Sequence, residues 1–395
     1  MLPYAENKRR MIMGSEGKKL PNSLKNYFST ISFFFHVTGV DISPGTNLQS
    51  KHYRCIPKCS KYVFNCLLLL TLYVQFNWLL VLKEKRTEAA LFLILLIQTT
   101  GHISVYRSRR QIALGLKNLS RIFDILHCNG NSRRLKILVW IYSIFFATIL
   151  MSLIPSNFSF IDREEALKQC SESQLLLNMF DDPSRYCLVI RDFSKLMIPF
   201  VLGGLLEAFS VFYTFTCVCI FLLYKQLTTQ LRNVKDFQEC YRLLHAYEEI
   251  VNAIALLDDH LSYSAFVTFL SSMAGIFRVS YALIFAEESY SMTLIYSGIS
   301  GIMYLNMFLS ITLSASAVTE EGRIARDLII SLPRKFQPHY RELKMILGCN
   351  FKRDVVPTLW KMYTIEKSIL ISAFGTLLTY GILIATLGNV QIPKN

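Results

Sequence analysis

Long apolar runs separated by short, charge-rich segments dominate the chain. Seven of them reach or approach the ~20 largely apolar residues that a helix needs to cross a bilayer. They cover approximately 62–82, 89–105, 137–153, 196–224, 261–286, 292–314 and 368–390. After Tyr224 the pattern changes: apolar residues recur at Leu227, Leu231, Val234, Phe237, Tyr241, Leu244, Tyr247, Val251 and Ile254, with Lys235, Asp236, Glu239 and Arg242 between them. Spacings of three and four mark one face of a helix. A further helical stretch is expected from about 320 to 347, broken at Pro333 and Pro338, and a third short helix over 356–365. The stretch 31–40 is too short to span and fits an interfacial helix.

The predicted architecture is all-α: a polytopic membrane protein with seven transmembrane helices, a cytoplasmic N-terminus, an extracellular C-terminus and an intracellular helical layer. Residues 1–61 form a cytoplasmic segment, 62–224 hold transmembrane helices 1–4, and 225–260 form a cytoplasmic extension. Residues 261–314 hold helices 5 and 6, 315–367 return to the cytoplasmic layer, and 368–395 are helix 7 with a short tail. Absence of a short apolar core followed by a small-residue cleavage site argues against a signal peptide.

Composition supports this reading. Of 395 residues, 52% are hydrophobic and 18% charged, with a mean hydropathy of +0.35; soluble domains hold about 45–50% and about 25%. The net charge of +14 raises the question of a nucleic-acid partner, but the distribution answers it. Lys and Arg number 32 in the segments assigned to the cytoplasm and 9 in those assigned outside, so the positive-inside rule accounts for the excess and no nucleic acid is required. On the same orientation, the sequon at Asn157 falls in the longest outer loop and is a glycosylation candidate, whereas that at Asn118 faces the cytoplasm and stays bare. Cys170 and Cys187 share the outer, oxidising side and are candidates to pair, against the alternative of two free thiols.

Nothing in the chain suggests catalysis. There is no HExxH pair, Gly-rich phosphate loop or nucleophile elbow, and no convincing metal or cofactor site: His52, Cys55 and Cys59 lack a fourth ligand. The informative residues are ionisable ones at membrane depth: Glu207, His102 and Arg278. Glu207 and Arg278 lie about 16 and about 12 Å below the outer ends of their spans, close enough to meet. They form either an ion pair that fixes helix packing or part of an outward-open ligand pocket. Gln98, Phe200, Phe209, Phe277, Tyr281, Tyr296, Ser300 and Tyr304 surround them, an aromatic and polar set suited to a small organic ligand and equally to helix packing. In the last span Thr379, Leu383, Thr386 and Leu387 share one face. A ring of such faces makes a pore wall that closes by dewetting at Leu387; the alternative is a packed helix whose hydroxyls bond their own backbone.

The run Lys361-Met362-Tyr363-Thr364-Ile365-Glu366-Lys367-Ser368, with Gly375-Thr376-Leu377-Leu378-Thr379-Tyr380 after it, resembles the arthropod gustatory receptors. Their signature is Thr-Tyr, five apolar residues, then Gln-Phe. Here Thr379-Tyr380 and five intervening residues are followed by Thr386-Leu387, a departure at the end of the motif. The resemblance implies a homotetrameric, ligand-gated cation channel of the plasma membrane, related in fold to insect odorant receptors. It implies a small-molecule ligand in each subunit, monovalent or divalent cations as permeant ions, contact with lipids, and four last helices around one pore. Segments 225–256 and 354–367 would join the subunits, and Thr386 and Leu387 would stand at the gate. A seven-helix receptor coupled to a G protein, and a non-conducting transporter or scaffold, are the rival readings.

Overall fold

The computed structural model describes residue 40 and residues 62–76, 85–126, 204–285, 291–350 and 356–390. The third expected span, Asn157, Cys170, Cys187, Phe200 and nearly all of 1–61 lie outside the described residues. Those described form α1 (Tyr62–Phe76), α2 (Lys85–Ile125), α3 (Gly204–Asn233), α4 (Phe237–Phe285), α5 (Ser291–Lys335), α6 (Tyr340–Asn350), strands β1 (Thr358–Leu359) and β2 (Tyr363–Thr364), and α7 (Lys367–Val390). By length and composition, two described stretches are long and apolar enough to cross a membrane: Gly204–Asn233, with mean hydropathy 2.0, and Ser297–Lys335, with 1.5.

Helix length explains the architecture. The 41 residues of α2, 49 of α4 and 45 of α5 extend about 60–75 Å at 1.5 Å per residue, roughly twice the ~30 Å of bilayer hydrocarbon. Each helix therefore continues well past one membrane thickness. α2 packs along α4, α3 along α5, and α4 touches both α3 and α5. The end of this bundle holding Asn233, Phe237 and Lys335 is its base, and the end holding Gly204 and Phe285 its top. Toward the base Ile112, Ile122, Leu223, Leu227, Leu243, Ile250 and Ala325 are fully buried. On α2, Ile112, Leu116, Leu119, Ile122 and Leu126 follow the three-and-four spacing of a helix face.

Four expectations need correction. The span expected over 89–105 is part of a longer helix, because α2 runs from Lys85 to Ile125; its buried stripe gives the added stretch a face to pack. The helix expected over 225–256 is divided: α3 stops at Asn233 and α4 starts at Phe237. Between them stand Val234, Lys235 and Asp236, and the Asp236 carbonyl accepts the Cys240 N–H at 3.0 Å; aspartate is a favoured residue just before a helix. Pro333 does not end α5, which continues to Lys335. A proline in the last turn forfeits one backbone bond, and the break waits for Phe336 and Pro338.

The fourth correction concerns 356–365. In place of a short helix the chain makes an antiparallel hairpin, with Thr358 opposite Thr364 and Leu359 opposite Tyr363. Val355, Val356, Thr358, Thr364 and Ile365 are β-branched and favour extended backbone, and Pro357 disfavours helix at the residue before it. Trp360 and Lys361 turn the hairpin at φ 48° and 56°, in the left-handed region.

Candidate ligand site and gate helix

Glu207 sits in the first turn of α3 and is almost wholly buried, at 1% exposure. Asn306 of α5 donates from Nδ2 to its Oε1 at 3.1 Å, and Oε2 has no hydrogen-bond partner among the described residues. The expected meeting with Arg278 gives way to this amide contact, for a reason of level. A Cβ on Gly275 would fall 2.5 Å from the Tyr304 ring, and one on Gly301 would fall 3.0 Å from Val279. Those contacts put Asn306 opposite residue 273 or so of α4. Arg278 is then about 7 Å nearer the top by helix rise.

The remaining candidates divide. Ser300 is buried and Tyr304 half-buried against Gly275, beside a cluster of Leu206, Met303 and Met307. Phe277 and Arg278 are half-buried, and Tyr281 is 47% exposed; the Tyr296 side chain lies outside the described residues. Gln98 is buried on the other side of α3, in a cavity of about 20 Å³ shared with His102, Phe209, Ser264 and Thr268. One water needs about 10–15 Å³, whereas pockets for organic ligands begin near 300 Å³. The cavity is therefore of water size. Ser264 donates to the Gly101 carbonyl at 3.1 Å and Thr268 to that of Ser264 at 2.8 Å, while Gln98 Oε1 has no hydrogen-bond partner among the described residues. Leu206 borders this cavity and also packs on Met303 and Met307, so one side chain separates the two polar nodes.

Sequence reasoning by charge passes over Asn306. It is the one amide in the uncharged stretch 292–314, and an intramembrane amide carries the same weight as an ionisable group because it too needs a partner there.

α7 has no charged residue after Lys367, yet its apolar side chains lie open: Ile371 is 72% exposed, Leu378 67% and Ile382 56%. Thr379 and Thr386 are exposed, and their hydroxyls donate to Gly375 and Ile382 carbonyls at 2.8 and 3.0 Å. A donating hydroxyl still has acceptor lone pairs to present outward. The side chains of Tyr380, Leu383 and Leu387 lie outside the described residues.

At the base of α7 the hairpin is held from both sides. Asp258 of α4 accepts the Thr358 N–H on Oδ1 and the Thr358 hydroxyl on Oδ2, both at 2.7 Å. Burial raises the Asp258 pKa above the usual carboxylate value, partly offset by those two bonds. Trp360 donates its backbone N–H to the Ser262 carbonyl at 3.0 Å, and its ring lies against Tyr263 and Phe266. From α5, Thr319 donates to the carbonyl of fully buried Ile365 at 3.2 Å. Exposed pairs Lys361–Asp259, Arg323–Glu366 and Lys367–Glu320 surround these contacts. Among the described residues no cluster of His, Cys, Asp and Glu fits a metal ion, and Cys66, Cys217, Cys219 and Cys240 are free thiols.

No family model matches the chain, and no curated protein does. Solved structures do. The olfactory receptor OR5 of the insect Machilis hrabei superposes with a TM-score of 0.61 at 13% identity, over 91% of this chain and 98% of that one. The same receptor in complex with eugenol gives 0.59 at 14% identity, over 92% and 98%. The chain thus has the fold of an insect olfactory receptor along nearly its whole length. Both neighbours are receptors, not enzymes.

Proposed function

We propose that the chain is one subunit of a chemosensory, ligand-gated cation channel of the plasma membrane, of the gustatory type, in which four copies place their α7 helices around a shared pore. The observation that carries this reading is α7 itself: a helix uncharged after Lys367, at the end of a receptor fold, that leaves Ile371, Leu378 and Ile382 open on the single chain. Lipid covers such a face, and so do the same helices of other copies; the hydroxyls of Thr379 and Thr386 are better suited to a water-filled conduit than to hydrocarbon.

The small-molecule ligand is placed toward the top of α3, α4 and α5. Glu207 and Asn306 make the polar floor, with Ser300, Tyr304, Phe277, Arg278, Tyr281 and Tyr296 above. Gln98 belongs to the water-sized cavity behind α3 and acts through the packing of Leu206. Ligand binding opens the pore only to the extent that it favours the open arrangement over the closed one. Thr386 and Leu387 stand at the gate, with Thr379, Tyr380 and Leu383 along the wall.

The test is to express the chain alone and record currents carried by sodium and potassium during application of a panel of small organic compounds, eugenol included. A ligand-evoked current whose gating changes in Leu387→Ala supports the proposal. Binding of a compound without current, in protein shown to reach the cell surface, refutes it in favour of a non-conducting receptor.

A further inference from the structure

Among the described residues, the hairpin at the foot of α7 is where the bundle grips that helix through directional bonds from two elements at once. α4 supplies Asp258 and Ser262, α5 supplies Thr319, and all three end on residues 358–365. Its turn carries two consecutive non-glycine residues, Trp360 and Lys361, at positive φ. Such backbone is disfavoured for residues other than glycine and persists only where the surroundings over-determine it. Here the surroundings do so: the Trp360 N–H is tied to Ser262 and its ring rests on Tyr263 and Phe266. Loss of those few bonds would release the strain held in the turn. Exposed ion pairs alone would not hold the turn in place, since each contributes little in solvent.

We infer that the 357–365 hairpin is a latch through which α4 and α5 hold the foot of α7, and that Asp258, by accepting both the N–H and the hydroxyl of Thr358, is the positioning residue that keeps it closed. Its consequence for gating rests on the channel reading; the latch itself does not. With the latch closed, a shift of α4 against α5 reaches α7 directly. With it open, what ties α7 to the bundle among the described residues is the exposed Lys367–Glu320 pair and side-chain packing such as Phe308 against Phe374.

Two measurements separate the latch from the channel reading. First, hydrogen exchange is followed on purified full-length protein in lipid nanodiscs. In Thr358→Val and in Asp258→Asn, exchange at the amides of Trp360 and Ile365 is expected to rise at least tenfold, with that of α2 and α3 unchanged. Thr358→Ser, which keeps the hydroxyl, stays at the parental rate. Lys361→Gly, which relieves the positive φ, slows exchange. Unchanged exchange in both Thr358→Val and Asp258→Asn overturns the latch. Thr358→Val is small and local, so the outcome holds even where Asp258→Asn fails to fold.

Second, single-channel records are taken with sodium and potassium as the only permeant cations and no ligand added. A latch predicts an open probability altered at least fivefold in Thr358→Val at unchanged unitary conductance, restored in Thr358→Ser. Faster exchange with unaltered open probability overturns the gating role. Absence of current in every variant when the same panel of small organic compounds is then applied, with surface expression intact, removes the channel reading, and the exchange experiment still decides the latch.

Discussion

α3 and α7 are both apolar helices, and the chain treats them in opposite ways. Of the 30 residues of α3, Phe212, Phe215, Cys219, Leu223, Leu227 and Leu231 are among the most buried in the molecule. α7 is the more apolar of the two by sequence, yet Ala373 is its one buried hydrophobic residue among those described, while Ile371 and Leu378 are 72% and 67% exposed. The difference shows where each helix finds its partners. α3 finds them in its own chain, so its side chains report on folding. On the proposed channel reading α7 finds them outside, in lipid or in other copies, and its side chains then report on assembly and gating.

The largest expected effect tests that division directly. Phe308→Ala or Leu227→Ala removes a fully buried side chain from the shared core, and should cost about 2–5 kcal/mol, seen as loss of folded protein in a detergent-unfolding titration. Ile371→Ala on α7 should leave the same titration within about 0.5 kcal/mol. An equal loss in both would erase the distinction. Gly275→Ala is next: its new methyl meets the Tyr304 ring at 2.5 Å, an overpacking expected to cost about 1–3 kcal/mol, and the paired change Tyr304→Leu should recover part of it.

The buried amide contact ranks third. Asn306→Leu takes from the Glu207 carboxyl the amide that donates to it and should destabilise by about 1–3 kcal/mol. Glu207→Gln, which keeps an acceptor, should cost less. A double-mutant cycle that returns no coupling would detach the two residues. Smallest is Arg323→Ala at the base. Its pair with Glu366 is solvent-exposed, so the expected change is under about 1 kcal/mol and fades further in high salt.

How far the sequence foretells these features follows the kind of information each one needs. Helices α3 and α5 are legible because their apolar runs exceed any soluble element, and the stripe from Leu227 to Ile254 announces helix below them. The division at Asn233–Phe237 is not legible, because no Gly or Pro marks it and both sides keep the same periodicity. The hairpin reads as helix in the sequence: two-residue strands are too short to show alternation, and the β-branched residues with Pro357 are the only clue. Glu207 stands out by its charge at membrane depth, but its partner does not, since register between helices decides that and Asn306 carries no charge. Asp258 reads only as an acid that weakens attraction to lipid. Its bond to Thr358 spans 100 residues of sequence, a separation that no local pattern encodes.

The exposed face of α7 is the centre of the account, and one measurement bears on it without any ligand. Particle images of the purified full-length protein in nanodiscs should show four chains about a central axis, with Thr379 and Thr386 turned toward it. Single chains with Ile371, Leu378 and Ile382 lying against lipid would contradict the account at its root.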